Sequence, residues 1–357
     1  TQSISKEMNK IEVTFPSSDP SCQLSGDLAL PSSDDDTKLL PVIVIVAGSG
    51  PIDRNGNAPN LHLNFNTSNR FAEHMITSRT SDRAIAILSY DKRGVGKSTN
   101  AKDKNFYYRA GMMDFVSDAV EAVRFASRHP RIDKTKIMLF GHSEGAIIMP
   151  LICHEVTNNN LDPILGCIFY CGFGENLVDA MSLQRETIVN EVNDMSGLKG
   201  WALSKLITKA KLETQYENFL KKVNAPDEPD FVSMQCGLVK QPATWLREHI
   251  AYDVNDSLKK YISCHCLAIT GMKDFQVQNE FCIPETASKL VPNAKSIEAH
   301  RPANLTHVLR SMEGPAKMMN MKKDYTRLGK LPLDEELLSI TDAWCDRVIR
   351  GAKRGGE

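Results

Sequence analysis

The strongest pattern in the chain is an unbroken β-branched run, Val42-Ile43-Val44-Ile45-Val46. No polar residue alternates with its apolar ones, so it suits a central strand covered on both faces. Ala84–Ser89, Lys136–Phe140, Leu165–Tyr170, Cys266–Thr270 and Lys295–Ala299 are further apolar runs of strand length. Ahead of them, Ile11–Phe15 and Cys22–Leu30 predict a hairpin-like start, followed by an acidic stretch, Ser32–Lys38, that reads as a solvated loop. Between the strands the period changes. Across Gly111–Arg128, Val116, Ala119, Val120, Val123 and Ala126 recur at helical spacing along one face. Strands alternating with helices predict a mainly parallel sheet with helices on both sides.

That rhythm stops between Glu175 and Tyr261, a long stretch rich in Lys and Glu and mostly helical in pattern. Placed after a late strand, it predicts a helical lid over the sheet's C-terminal edge. The expected division is therefore a core domain of residues 1–174 and 262–357, with 175–261 as the insertion. Trp201, Leu206, Phe219 and Trp245 are spread along the insertion. They read either as walls of an apolar substrate pocket or as the lid's own packing, and the second reading is the plainer one. No internal repeat or low-complexity tract is present.

Composition narrows the function more than the fold. The chain has 357 residues, 41% of them hydrophobic, with a formal net charge of −1. No basic stripe stands out, so nucleic acid and anionic membrane surfaces are poor partners. No apolar run approaches the roughly 18 residues needed to cross a bilayer. Nine cysteines without framework spacing predict reduced core thiols and a cytoplasmic setting. The chain begins at Thr1 with no charged or apolar leader pattern, although a removed leader is compatible with the missing Met. Oligomeric state is left open.

Candidate chemistry centres on Gly141-His142-Ser143-Glu144-Gly145, a G-x-S-x-G match. Chance alone supplies such a match about one time in ten at this length, so context has to carry it. An apolar strand, Ile137–Phe140, runs into the motif and an apolar helical run, Ala146–Cys153, leaves it. Strand, sharp turn and helix are what a nucleophile elbow requires. The flanking glycines remove Cβ atoms that would clash in the turn, and the helix N-terminus favours negative charge. The alternative is an inert serine in a glycine-lined turn.

A serine hydroxyl needs a base, and this fold places the acid and histidine later in the chain, at strand ends. Asp274 follows strand Cys266–Thr270, and His307 lies in a loop after the last strand. His300 ends that strand, while His249 and His265 lie in the insertion and at a strand entrance, and are weaker candidates. His142 adjoins the serine but is expected to be directed elsewhere by the elbow. His265 between Cys264 and Cys266 suggests a metal only superficially, because neighbours on a strand point to opposite faces. No metal or cofactor is required. Developing negative charge on the substrate oxygen needs preorganised donors. The backbone N–H of Glu144 is one candidate; the N–H of Ser49, in the glycine-rich loop Ala47–Pro51, is the other. Gly94-Val95-Gly96-Lys97-Ser98 resembles the tail of a phosphate-binding loop, but Asp91 stands where that motif needs glycine.

The segment Gly48-Ser49-Gly50-Pro51-Ile52-Asp53-Arg54-Asn55-Gly56-Asn57 resembles the GSGPxDRDGN signature of bacterial-type α/β-hydrolase esterases, with Asn55 in place of the usual Asp. Asp91–Ser98, Trp245–Asp253 and Gly271-Met272-Lys273-Asp274-Phe275-Gln276-Val277 are similar to three further motifs of that group. Asn304-Leu305-Thr306-His307 is similar to its N-H-L loop, with two residues between Asn and His. The resemblance spans Ile11 to His307. It implies the α/β-hydrolase fold and a carboxylesterase of the serine aminopeptidase-like superfamily, with Asp274 as the acid. Asp53 and Arg54 sit beside the oxyanion loop in that family, which implies loop support or ligand contact; Gly48, Gly50 and His142 join them as possible support.

The expected function is hydrolysis of small, partly apolar carboxylic esters through an acyl-enzyme on Ser143. A peptidase or amidase with the same triad, an acyltransferase, a ligand sensor and a catalytically dead scaffold are the alternatives.

Overall fold

A computed structural model of the chain describes residues 8–32, 37–59, 63–100, 102–225, 230–234 and 239–354. In chain order these form β1 (Met8–Pro16), β2 (Gln23–Pro31), β3 (Leu40–Val46), α1 (Thr67–Thr77), β4 (Ala86–Tyr90), α2 (Phe106–Arg109) and α3 (Met112–Arg128). Next come β5 (Ile132–His142), α4 (Glu144–Asn158), β6 (Gly166–Tyr170), α5 (Leu177–Asn193), α6 (Gly197–Leu206) and α7 (Lys209–Val223). A short hairpin, β7 (Phe231–Met234) and β8 (Val239–Pro242), then leads to α8 (Ala243–Ala251) and α9 (Val254–Tyr261). The chain closes with β9 (His265–Ile269), α10 (Pro284–Leu290), β10 (Ser296–His300), α11 (Met321–Leu328) and α12 (Glu335–Arg354).

Eight strands make one sheet in the order β1-β2-β4-β3-β5-β6-β9-β10. Only β2 runs against its neighbours, and every other pairing in this sheet is parallel. This is the α/β-hydrolase fold that the strand–helix rhythm and the motifs lead one to expect. Of the acidic stretch Ser32–Lys38, residues 33–36 lie outside the described residues.

The β-branched run behaves as its composition requires. All seven residues of β3 are buried. Val42, Val44 and Val46 pack into one core with α3, α4, α9 and α10; Ile43 and Ile45 pack into a second core with α1 and α12. Val116, Ala119, Val120, Val123 and Ala126 of α3 are all buried, as their spacing demands. Gly111 precedes this helix, and its N–H is taken by the Asp114 carboxylate at 2.8 Å. Most strand bounds differ by a residue or more from the apolar runs, and the largest difference is at β5. β5 begins at Ile132 and runs to His142, so the strand delivers the chain directly to Ser143.

Residues 175–261 interrupt the sheet between β6 and β9, which are neighbours in space. The four large residues singled out in this stretch do not form one core. Trp245 is buried and Phe219 packs partly against the main core, but Trp201 and Leu206 are 64% and 67% exposed. Their helix, α6, turns Gly200 inward and its bulkiest side chains outward.

Among the described residues eight cysteines are present, all unpaired and buried, and Cys236 lies outside them. No described helix is long and apolar enough to cross a membrane.

Candidate active site

Parallel strands deliver their C-terminal ends to one edge of the sheet, and the candidate residues gather there. β3 ends at the Ala47–Pro51 loop, β5 at Ser143, β9 ahead of Asp274, and β10 ahead of the loop holding His307.

Ser143 occupies a backbone conformation of φ 55° and ψ −118°, which an L-residue adopts only under constraint. Its surroundings supply the constraint. A Cβ on Gly141 would stand 2.5 Å from the carbonyl oxygen of Gly145, and one on Gly145 would overlap the Val46 carbonyl. Glycine is therefore required on both sides of the turn. The Ser143 N–H is held by the Tyr170 carbonyl at 2.8 Å.

From the Ser143 hydroxyl a hydrogen-bonded line runs inward. His307 Nε2 lies 3.1 Å from Ser143 Oγ, and His307 Nδ1 lies 2.8 Å from Asp274 Oδ2. Asp274 is buried, and its other oxygen accepts from the N–H groups of Gln276 at 2.9 Å and Val277 at 3.3 Å. Those bonds orient the carboxylate, which in turn orients the imidazole. The Asn304–His307 spacing does not displace the ring.

The loop after β3 passes close to the elbow. A Cβ on Gly48 would stand 3.3 Å from the Ser143 Cβ. Among the described residues the N–H groups of Ser49 and Glu144 have no backbone acceptor.

Several candidates find different roles. Asp53 folds its own loop, accepting from Asn55 N, Asn57 N and Asn57 Nδ2 at 2.9 to 3.2 Å. Arg54 turns away from the site and pairs with Asp91 at 2.7 Å and Asp27 at 2.8 Å. Both therefore support structure rather than touch the cavity. His142 is not directed elsewhere by the elbow. It lines the cavity and bonds the His307 carbonyl at 2.8 Å. Lost solvation and the nearby His307 push its ring down to about 4, so it stays neutral there.

Among the other histidines, His265 bonds Ser296 Oγ at 2.8 Å, and His300 stays on β10 near Glu298. Cys264 and Cys266 are buried, whereas His265 turns to the opposite side of the strand. Cys264 instead meets Cys153 and Cys167. His249 is buried against Glu144. Two acidic side chains escaped the sequence reading: Glu144, considered only for its backbone N–H, and Glu175, considered only as the start of the insertion, are both buried.

Beside Ser143 opens a cavity of about 260 Å³. Its walls include Ile52, Leu63, Phe65, Val308, Met321 and Tyr325, and no Asp, Glu, Lys or Arg is among the described residues that line it. None of the lining residues belongs to 175–261. The insertion acts at one remove: Gln184 bonds the Gln276 carbonyl, and Glu191 takes the N–H groups of Met318 and Met319.

Residues 64–216 match the family described as serine aminopeptidase, S33. None of the curated proteins matches the sequence. Among solved structures, the chain is similar to the esterase Est22, with 12% identity over 95% of this chain and 80% of that one and a TM-score of 0.51. It is similar to a hypothetical protein from Pseudomonas aeruginosa at 13% identity, over 92% and 95% of the two chains, with a TM-score of 0.50. It is also similar to an acylaminoacyl peptidase from Pyrococcus horikoshii at 14% identity and a TM-score of 0.50, over 91% of this chain and 42% of that one. At these identities the likeness is one of fold.

Proposed function

We propose that this chain, a hydrolase of the α/β-hydrolase superfamily, is a serine carboxylesterase acting on small esters with an apolar acyl group. The observation that carries the reading is the line Ser143–His307–Asp274 beside a cavity walled by apolar side chains.

In the proposed reaction His307 Nε2 takes the Ser143 proton as Oγ attacks the ester carbonyl. Asp274 holds the ring and stabilises the imidazolium. The N–H groups of Ser49 and Glu144 receive the developing oxyanion. Collapse of the tetrahedral species expels the alcohol, protonated by His307, and leaves an acyl-enzyme. Water, activated by the same imidazole, then releases the acid.

The family description raises aminopeptidase activity as the competing use of such a site. An aminopeptidase must hold a cationic amine near its nucleophile, and a buried cation needs a carboxylate partner. The described cavity lining contains none, which favours a neutral ester. Residues 175–261 we read as a cap that braces the loops bearing the cavity walls.

The test is a p-nitrophenyl ester series of increasing acyl length on wild type and Ser143→Ala. Removing a nucleophilic serine cost on the order of a millionfold in turnover in another serine hydrolase. Ser143→Ala should lose ester turnover to background and keep the wild-type fold. Residual turnover within tenfold of wild type would sink the assignment, and faster cleavage of aminoacyl amides than of esters would move it to the peptidase reading.

A further inference from the structure

Three features of the motif segments have no place in that mechanism: the lysine of Asp91–Ser98, the carboxylate that follows Ser143, and the Trp245 and His249 pair of α8. They meet at one point. Lys92 Nζ donates to the Gly48 carbonyl at 2.6 Å and to Glu144 Oε2 at 2.8 Å. The other oxygen, Glu144 Oε1, accepts from Trp245 Nε1 and lies 3.2 Å from His249 Nε2. Lys92, Glu144 and His249 have side chains only 6%, 3% and 1% exposed. The Phe115 ring lies 4.5 Å from Lys92 Nζ and closes its remaining side.

The position of the Gly48 carbonyl gives this cluster its meaning. That C=O and the Ser49 N–H belong to one planar trans peptide unit and point in opposite directions. A cation gripping the oxygen therefore aims the amide, and the side chain it pairs with belongs to the residue whose own N–H is the other proposed donor. Without an anchor, a glycine-flanked peptide in a loop is free to rotate. A buried ion pair is weak as a device for stability, since apolar replacements often match it. A charge-assisted bond to a carbonyl is strong and directional, which is what orientation needs.

We propose that Lys92 is a positioning residue of the oxyanion hole: it fixes the Gly48–Ser49 peptide so that the Ser49 N–H faces the oxyanion, while Glu144, locked by Trp245 and His249, fixes Lys92. The insertion is thereby tied to the reacting centre through α8 rather than through the cavity wall. The inference rests on the serine-esterase reading above and extends it to a residue that touches no substrate. Glu144 keeps its charge in this setting. Burial works against ionisation, but the Lys92 ammonium and the His249 ring outweigh it and hold the carboxyl at about 2.

The experiment compares the full chain as wild type, Lys92→Met, and Lys92→Met with Glu144→Gln. The double variant removes both charges of the pair, so it carries the test where the single one fails to fold. For each folded protein, kcat and KM for p-nitrophenyl butyrate are measured, together with the affinity for a trifluoromethyl ketone that forms a tetrahedral adduct. Losing one oxyanion donor costs about 100- to 1,000-fold in kcat, and a misaimed donor should cost about 10- to 100-fold. KM should stay within about twofold, and the ketone should weaken by the same factor as kcat. A purely structural role would lower the melting temperature and leave kcat and ketone affinity alone, and that result overturns the proposal. Fluorophosphonate labelling separates the two failures. A wild type unlabelled at Ser143 would remove the nucleophile and this inference together. Labelling of wild type and Lys92→Met at equal rates would remove this inference alone.

Discussion

Glu175 offers a test of how burial is balanced around the site, because it is a fully buried acid with no ion pair among the described residues. It follows the turn after β6, and its side chain has one partner, the Gln278 N–H at 3.0 Å on Oε2. Oε1 has none. Lost solvation, then the charges of Asp179, Asp274 and Glu280, push the carboxyl up from 4.5 to about 7. Between those two values the folded state holds the proton and the unfolded chain does not. This group's contribution is therefore complete below about pH 4.5, is lost as pH rises to about 7, and stays lost above it. Integrating from pH 5 to pH 8 gives a loss of about 2.5 kcal/mol. For a chain of this length that is about 3 °C in melting temperature. Glu175→Gln keeps an acceptor for the Gln278 N–H and cannot ionise. Its stability relative to wild type should rise by about 2.5 kcal/mol between pH 5 and pH 8, whatever the offset at either end. Urea unfolding of both proteins at the two pH values measures this double difference. Curves that keep the same separation within about 0.5 kcal/mol, well under the linkage term, would show that Glu175 ionises as easily in the folded protein as in the unfolded chain.

Two further outcomes bear on the chemistry. Asp274→Asn should fold, since an amide oxygen still serves the Gln276 and Val277 N–H groups, but ester kcat should fall about 10,000-fold through the wrong imidazole tautomer; a loss under tenfold would show that the acid lies elsewhere. Met321→Ala enlarges the cavity and should raise the kcat/KM ratio of longer to shorter acyl esters about tenfold, whereas an unchanged profile would move the acyl group out of this cavity.

The features legible in the sequence share a physical origin: each is enforced over a few consecutive residues. The buried central strand declared itself because a surface doubly covered by helices tolerates no polar alternation, and every residue of β3 is buried. The elbow was readable because its two glycines answer backbone clashes with Val46, Gly145 and Ala146 that any such turn creates. The line from Ser143 to His307 and Asp274 could be drawn in advance because sheet order brings the ends of successive parallel strands to one edge.

What was not legible depends on partners far apart in the chain. Asp53 and Arg54 are adjacent, yet one closes its own loop and the other reaches Asp27 and Asp91. Nothing in the dipeptide distinguishes those fates, because Arg54 is placed by acids on and beside β2 and β4. The large apolar residues of the insertion read as pocket walls or, more plainly, as its own packing, and none of Trp201, Leu206, Phe219 and Trp245 lines the cavity. The cavity walls come instead from irregular segments around Phe65 and Val308, which have no period, and from Met321 and Tyr325 of α11, a helix too short for its spacing to stand out. Glu144 is the sharpest case. Its sequence position gave only a backbone donor, while its side chain is enclosed by Lys92, Trp245 and His249, drawn from two other regions of the chain. A carboxylate at the first turn of a helix would stand in solvent by default, so its burial implies three partners that must all arrive together.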